Sequence, residues 1–70
     1  MWKLILEDCS EELLKVLQDI GERDSKFYYY IQENEIVIPL DNKDMAYRKG
    51  MWLNKKTNIK PKFRVEYEIK

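Results

Sequence analysis

Apolar and polar residues alternate with period two at both ends of this chain, and with the period of a helix in between. Trp2, Leu4 and Leu6 interleave with Lys3, Ile5 and Glu7, which predicts a strand with one dominant apolar face. At the other end Phe63, Val65, Tyr67 and Ile69 alternate with Arg64, Glu66, Glu68 and Lys70, predicting a strand with one wet face. After the first strand, Leu13, Leu14, Leu17 and Ile20 fall on one helical stripe. Asp8 or Ser10 is suited to cap that helix, Glu11 and Glu12 to its positive end, and Gly21 to closing it in a left-handed conformation, so the spacing predicts a helix over residues 10–20.

Residues 26–32 and 35–40 read as a hairpin turning at Glu33 and Asn34. A turn centred between those two sets Ile31 opposite Ile36, Tyr29 opposite Ile38 and Phe27 opposite Leu40, which gathers six apolar side chains on one side. Tyr28, Tyr30, Val37 and Pro39 take the other side.

Residues 45–54 satisfy two periods. Asp41 or Asn42 can cap a helix that brings Tyr47 and Met51 together, although Gly50 inside it costs about 1 kcal/mol relative to alanine. Tyr47, Met51 and Leu53 equally share the parity of a strand.

The prediction is a single α+β domain over residues 1–70, with an antiparallel sheet and its helices on one face. The element order is βαββαβ, that of the split βαβ or ferredoxin-like arrangement, or βαβββ if the second helix is a strand. In the first case strands one and three are central and strands two and four are edges. Lys3, Ile5, Tyr28, Tyr30, Val37, Arg64, Glu66 and Glu68 then line the helix-free face.

Composition narrows the function classes. Seventy residues with two glycines, nine aromatics and 44% apolar residues suit one thin core and leave no room for a deep cleft. With no histidine, the usual general base is missing, no Ser-His, Cys-His or HExxH arrangement exists, and mixed Cys/His zinc sites are ruled out. The reading is therefore non-enzymatic, with no catalytic residue, metal site or cofactor. Cys9 near a helix start reads as an inert thiol because no base accompanies it. Glu7, Asp8, Glu11 and Glu12 read as helix capping, and residues 41–44 lack the glycine and distal glutamate of a calcium loop. A single cysteine and an N-terminal apolar run too short for a signal peptide or a membrane span predict a cytoplasmic protein without membrane contact.

Charge changes the picture most. Residues 45–65 hold seven bases and no acid, whereas residues 1–44 hold eleven acids and five bases. The three stretches 1–44, 45–65 and 66–70 carry −6, +7 and −1, which cancel to a net charge of zero. A segregated neutral chain can still present a basic surface. Arg48, Lys49, Lys55, Lys56, Lys60, Lys62 and Arg64 are its candidate cations, with Tyr47 and Trp52 interleaved as stacking faces and Tyr28 and Tyr30 as further anchors. Residues 54–62 read as an exposed recognition loop stiffened by Pro61. The competing reading of this segment is a solvated loop with Trp52 in the core.

Two functions follow. The first is a protein-binding module or inhibitor that docks on an acidic protein surface, or on a protein–nucleic acid complex, through the basic, aromatic-bearing segment. The second is nucleic-acid or nucleotide binding through the same segment, against which the acidic remainder counts. A homodimer through the tyrosine face is compatible with both. In size and style the chain resembles phage-encoded host-takeover or counter-defence proteins, which would place it in a host cytoplasm.

Overall fold

A computed structural model describes residues 1–58 and 60–69. The expected positions of Ile59 in a loop and Lys70 on the last strand lie outside them. The order is β1 (Trp2–Leu6), α1 (Glu11–Arg23), β2 (Tyr30–Gln32), β3 (Glu35–Leu40), α2 (Lys43–Lys56) and β4 (Phe63–Tyr67). The four strands form one antiparallel sheet in the order β2-β3-β1-β4, so β1 and β3 are central and β2 and β4 are its edges. The chain is an α+β fold with both helices against one face, where Leu4, Leu6, Ile36 and Ile38 meet Leu13 and Leu17 of α1 and Ala46 and Leu53 of α2.

Ser10 caps α1, its hydroxyl accepting from the Leu13 amide at 3.3 Å. The helix does not end at Ile20. It runs through Gly21 to Arg23, and Asp24 closes it in extended conformation with its amide on the Ile20 carbonyl. Gly21 is therefore an interior helical residue, and the left-handed closure expected of it does not occur. A basic side chain at Arg23 suits the negative end of the longer helix.

The hairpin register is as the polarity predicts, with Ile31 opposite Ile36 and Gln32 opposite Glu35. Glu33 and Asn34 both adopt left-handed φ values, 52° and 64°, as a two-residue turn compatible with strand twist requires. However, β2 spans only residues 30–32, and the predicted pairings of Tyr29 with Ile38 and Phe27 with Leu40 are not made. Proline explains the early stop. Residues flanking a two-residue turn form a hydrogen-bonded pair, and such pairs recur every second residue, so after Tyr30 and Val37 the next would be Tyr28 and Pro39. Pro39 has no N–H to give, and the ladder ends there. Phe27 and Tyr29 still pack on the core, while Ile31 remains half exposed on the edge.

Residues 43–56 form a helix, and Gly50 packs directly against Phe63 of β4. A Cβ built on Gly50 would come within 2.7 Å of the Phe63 ring. Ala46, Gly50 and Leu53 form the buried stripe of α2, and small residues at two of those positions let its backbone approach where α1 is held off by leucines. Asn42 Oδ1 accepts from the Met45 amide at 2.8 Å, and buried Thr57 closes the far end through its amide and hydroxyl, both donating to the Leu53 carbonyl.

Candidate docking surface

Because the inner stripe of α2 consists of Ala46, Gly50 and Leu53, everything else on the helix is turned sideways or outward. Arg48, Lys55 and Lys56 stand exposed on its outer side. Tyr47, Met51 and Trp52 are exposed as well, and Trp52 keeps 40% of its surface, which removes it from the core. Lys49 is half buried, its ammonium 5.4 Å from the centre of the Trp52 ring and 5.5 Å from that of Phe27. A cation held between two ring faces fixes the orientation of Trp52 without burying it. Met45, Arg48, Lys49 and Trp52 line one shallow depression of about 310 Å³, and Trp52 also borders a groove shared with Val16, Ile20, Arg23 and Lys56.

The eleven residues expected to form one binding surface are divided between two faces. Tyr47, Arg48, Lys49, Trp52, Lys55 and Lys56 share α2, and Lys60 and Lys62 stand exposed in the segment that follows it. That segment is shorter than expected, since residues 54–56 belong to the helix, and Pro61 is buried as an anchor of the chain. Lys60 adopts a left-handed φ of 48°.

Arg64 and Tyr30 belong to the opposite side, whereas Tyr28, which precedes β2, lines a cavity of about 320 Å³ together with Met45 and Lys49 of α2. The register aligns Tyr30, Val37, Ile5 and Arg64 in one row across the helix-free face, and Tyr28 stacks beside Tyr30 with ring centres 6.0 Å apart. Arg64 is the candidate cation that the chain neutralises itself. Its guanidinium reaches across β1 to donate to both carboxylate oxygens of Glu35, at 2.7 and 3.0 Å, while Nε donates to Glu66 at 3.2 Å. Lys3 on the same face pairs with Glu68 at 3.0 Å. These side chains also cover Ile5 and Val37, which is why two apolar residues are buried on a face without helices.

Among the described residues, no ion pair involves a base of α2. α1 alongside carries Glu11, Glu12, Asp19 and Glu22 against Lys15 and Arg23, so the helical layer is acidic on one helix and basic on the other. Sequence reasoning missed Met45, Phe27 and the α1 residues of the groove. Met45, Lys49, Trp52 and Lys56 are spaced to share one side of a helix, but that signal is readable only once the segment is known to be helical.

The Arg64 guanidinium holds the Glu35 carboxyl below its ordinary range, outweighing desolvation, which pushes it up. The unfolded chain, with a glutamate near about 4.3, therefore binds more protons at mildly acidic pH than the folded one. The stabilisation is fully present above that value and is lost as pH falls through the depressed folded-state pKa. We expect the melting temperature of the natural protein to fall more steeply below about pH 5 than that of Glu35→Gln. Parallel curves in thermal melts across this range would mean the ion pair contributes nothing to stability.

No family model, curated protein or solved structure matches the chain. Among the described residues, no helix is long and apolar enough to cross a membrane.

Proposed function

We propose that this protein is a non-enzymatic binding domain, a cytoplasmic inhibitor or adaptor, that docks on an acidic protein surface through the outer side of α2. One observation carries the reading. Arg48, Lys49, Lys55 and Lys56 have no carboxylate partner among the described residues and surround an exposed Trp52, whereas Lys3 and Arg64 across the sheet are paired. Unpaired cations around an aromatic anchor provide long-range attraction and a buried contact in one place. Tyr30 and Arg64 take no part in this docking, because they face the other way, whereas Tyr28 borders a cavity with Met45 and Lys49 at its margin.

The shape of the charge favours a protein over a nucleic acid. From Arg48 to Lys56 the cationic strip runs about 12 Å along the helix and is one helix wide. Asp19 lies across the groove from Lys56, so a phosphate backbone continuing over the helical layer would meet carboxylates. A folded partner with a compact acidic patch meets only the strip.

The reading is tested by Trp fluorescence titration with a Glu-rich peptide and with a single-stranded oligonucleotide of equal charge at about 0.02 M and 0.3 M salt. We expect the peptide to bind more tightly at low salt, and the doubly reversed Arg48→Glu with Lys55→Glu to weaken it by at least about tenfold. Tighter binding of the oligonucleotide transfers the surface to nucleic acid. Absence of binding to either at low salt overturns both readings.

A further inference from the structure

The outer edge of β4 is built to pair with itself. The contacts at its ends settle which groups point outward: the Glu7 amide donates to the Lys62 carbonyl, and the Glu68 amide to the Met1 carbonyl. Hydrogen-bonded pairs recur every second residue, so Lys62, Arg64, Glu66 and Glu68 direct their backbone groups to β1. Phe63, Val65 and Tyr67 therefore direct theirs away from the sheet, and among the described residues no strand receives them.

The five residues read aromatic, cation, β-branched, anion, aromatic, so that on reversal about Val65 aromatic meets aromatic and cation meets anion. We propose that two copies of this chain associate antiparallel through β4, with Val65 on the two-fold axis, joining two four-stranded sheets into one of eight strands. In that register Val65 pairs with Val65 of the second copy, Phe63 with Tyr67 and Arg64 with Glu66. The outward groups of residues 63, 65 and 67 then exchange six hydrogen bonds. Arg64 and Glu66 fall in a non-hydrogen-bonded pair, where opposed side chains come closest.

Three observations favour this occupant. Arg64 already binds Glu35 and Glu66 of its own chain, and the antiparallel register adds Glu66 of the second copy to that cluster, whereas a parallel copy in register would set Arg64 against Arg64. Tyr47, which packs on Phe63, and Tyr67 at the far end of the same strand remain 45% and 56% exposed, so each can add apolar surface to such a seam. The opposite edge offers no equivalent, because β2 is only three residues long and its pairing ends at Pro39. Edge strands in natural proteins are usually blunted by bulges, prolines or covering segments, and β4 contains neither proline nor bulge between residues 63 and 67. A seam of one strand pair and a few side chains is small, so the expected dimer is weak and concentration-dependent.

The test is sedimentation equilibrium on the full chain, with Val65→Pro and, separately, Glu66→Lys. Proline at position 65 removes an N–H that serves no partner within the monomer. Lysine at position 66 sets like charges opposite Arg64 of the second copy; it also removes the own-chain bond from Arg64 Nε, so a thermal melt is run alongside to establish that the variant is folded. We expect a mass of two chains for the natural protein at about 1 mM, one chain for a folded Val65→Pro, and at least tenfold weaker association for Glu66→Lys, which stands as the readout should the proline variant fail to fold. A natural protein of one-chain mass at that concentration overturns the proposal. So does growth beyond two chains, or a dimer whose affinity Glu66→Lys leaves unchanged.

Discussion

Gly50→Ala is expected to destabilise the protein by about 1–2 kcal/mol, although alanine is the better helix former by about 1 kcal/mol. On an exposed helix the same change would be a gain. Here the added methyl meets three atoms of the Phe63 ring at 2.7–2.8 Å, and the ring is confined by Tyr47, whose own ring packs edge-on against it with centres 6.3 Å apart. Either α2 lifts away from β4 or Phe63 leaves its place, and both separate buried apolar surface. For a domain of this size each kcal/mol moves the melting temperature by about 4–8 °C. The cause is separable by a double-mutant cycle: in a Phe63→Leu background, Gly50→Ala should cost little or become stabilising. A Gly50→Ala protein that melts higher than the natural one would show that the close approach of helix and ring does not constrain this position.

Trp52 and Leu53 are neighbours whose truncations should fail in opposite ways. Leu53 is fully buried between α2 and the sheet, so Leu53→Ala removes transfer free energy and leaves a cavity, at about 2–5 kcal/mol. A domain of this size holds on the order of 4–10 kcal/mol in total, so that variant is expected to populate unfolded chain at ambient temperature. Trp52 keeps 40% of its surface in solvent, and its ring is held by Lys49 over one face and by the groove wall of Val16 and Ile20. Trp52→Ala should therefore cost less than Leu53→Ala in urea unfolding. On the proposed reading it weakens capture of an acidic peptide by about thirtyfold or more, the scale of an aromatic anchor at the centre of an interface. If Trp52→Ala unfolds the protein as readily as Leu53→Ala, Trp52 belongs to the core and the docking surface loses its anchor.

The candidate surface was legible in the sequence only in part. The basic run, its cations and its aromatic residues are visible by inspection, and α2 does keep Arg48, Lys49, Lys55 and Lys56 together. Arg64 looked like one of them, because the Glu35 that neutralises it is 29 residues away in the chain and next to it only in the folded sheet. Tyr30 lies on the helix-free face, which separates it from the cations it is expected to assist, while Tyr28, ahead of β2, shares a cavity with Lys49. Pro61, expected to brace an exposed loop, is buried.

The sequence by itself determined what depends on neighbours along the chain: the stripe of α1, the two-residue turn at Glu33 and Asn34 with its register, the alternation of β4, and the segregation of charge. Each of these is a periodicity or a turn preference, and both are local properties. Tertiary structure alone decided whether residues 45–54 would be helix or strand. Their pattern satisfies both, and the positions that anchor the helix, Ala46 and Gly50, have almost no hydrophobic signature of their own. Glycine suits position 50 because a side chain there would meet the ring of Phe63, on a strand still to come. Tertiary structure likewise decided which cations remain unpaired, since an ion pair across a sheet depends on register between strands that are distant in sequence.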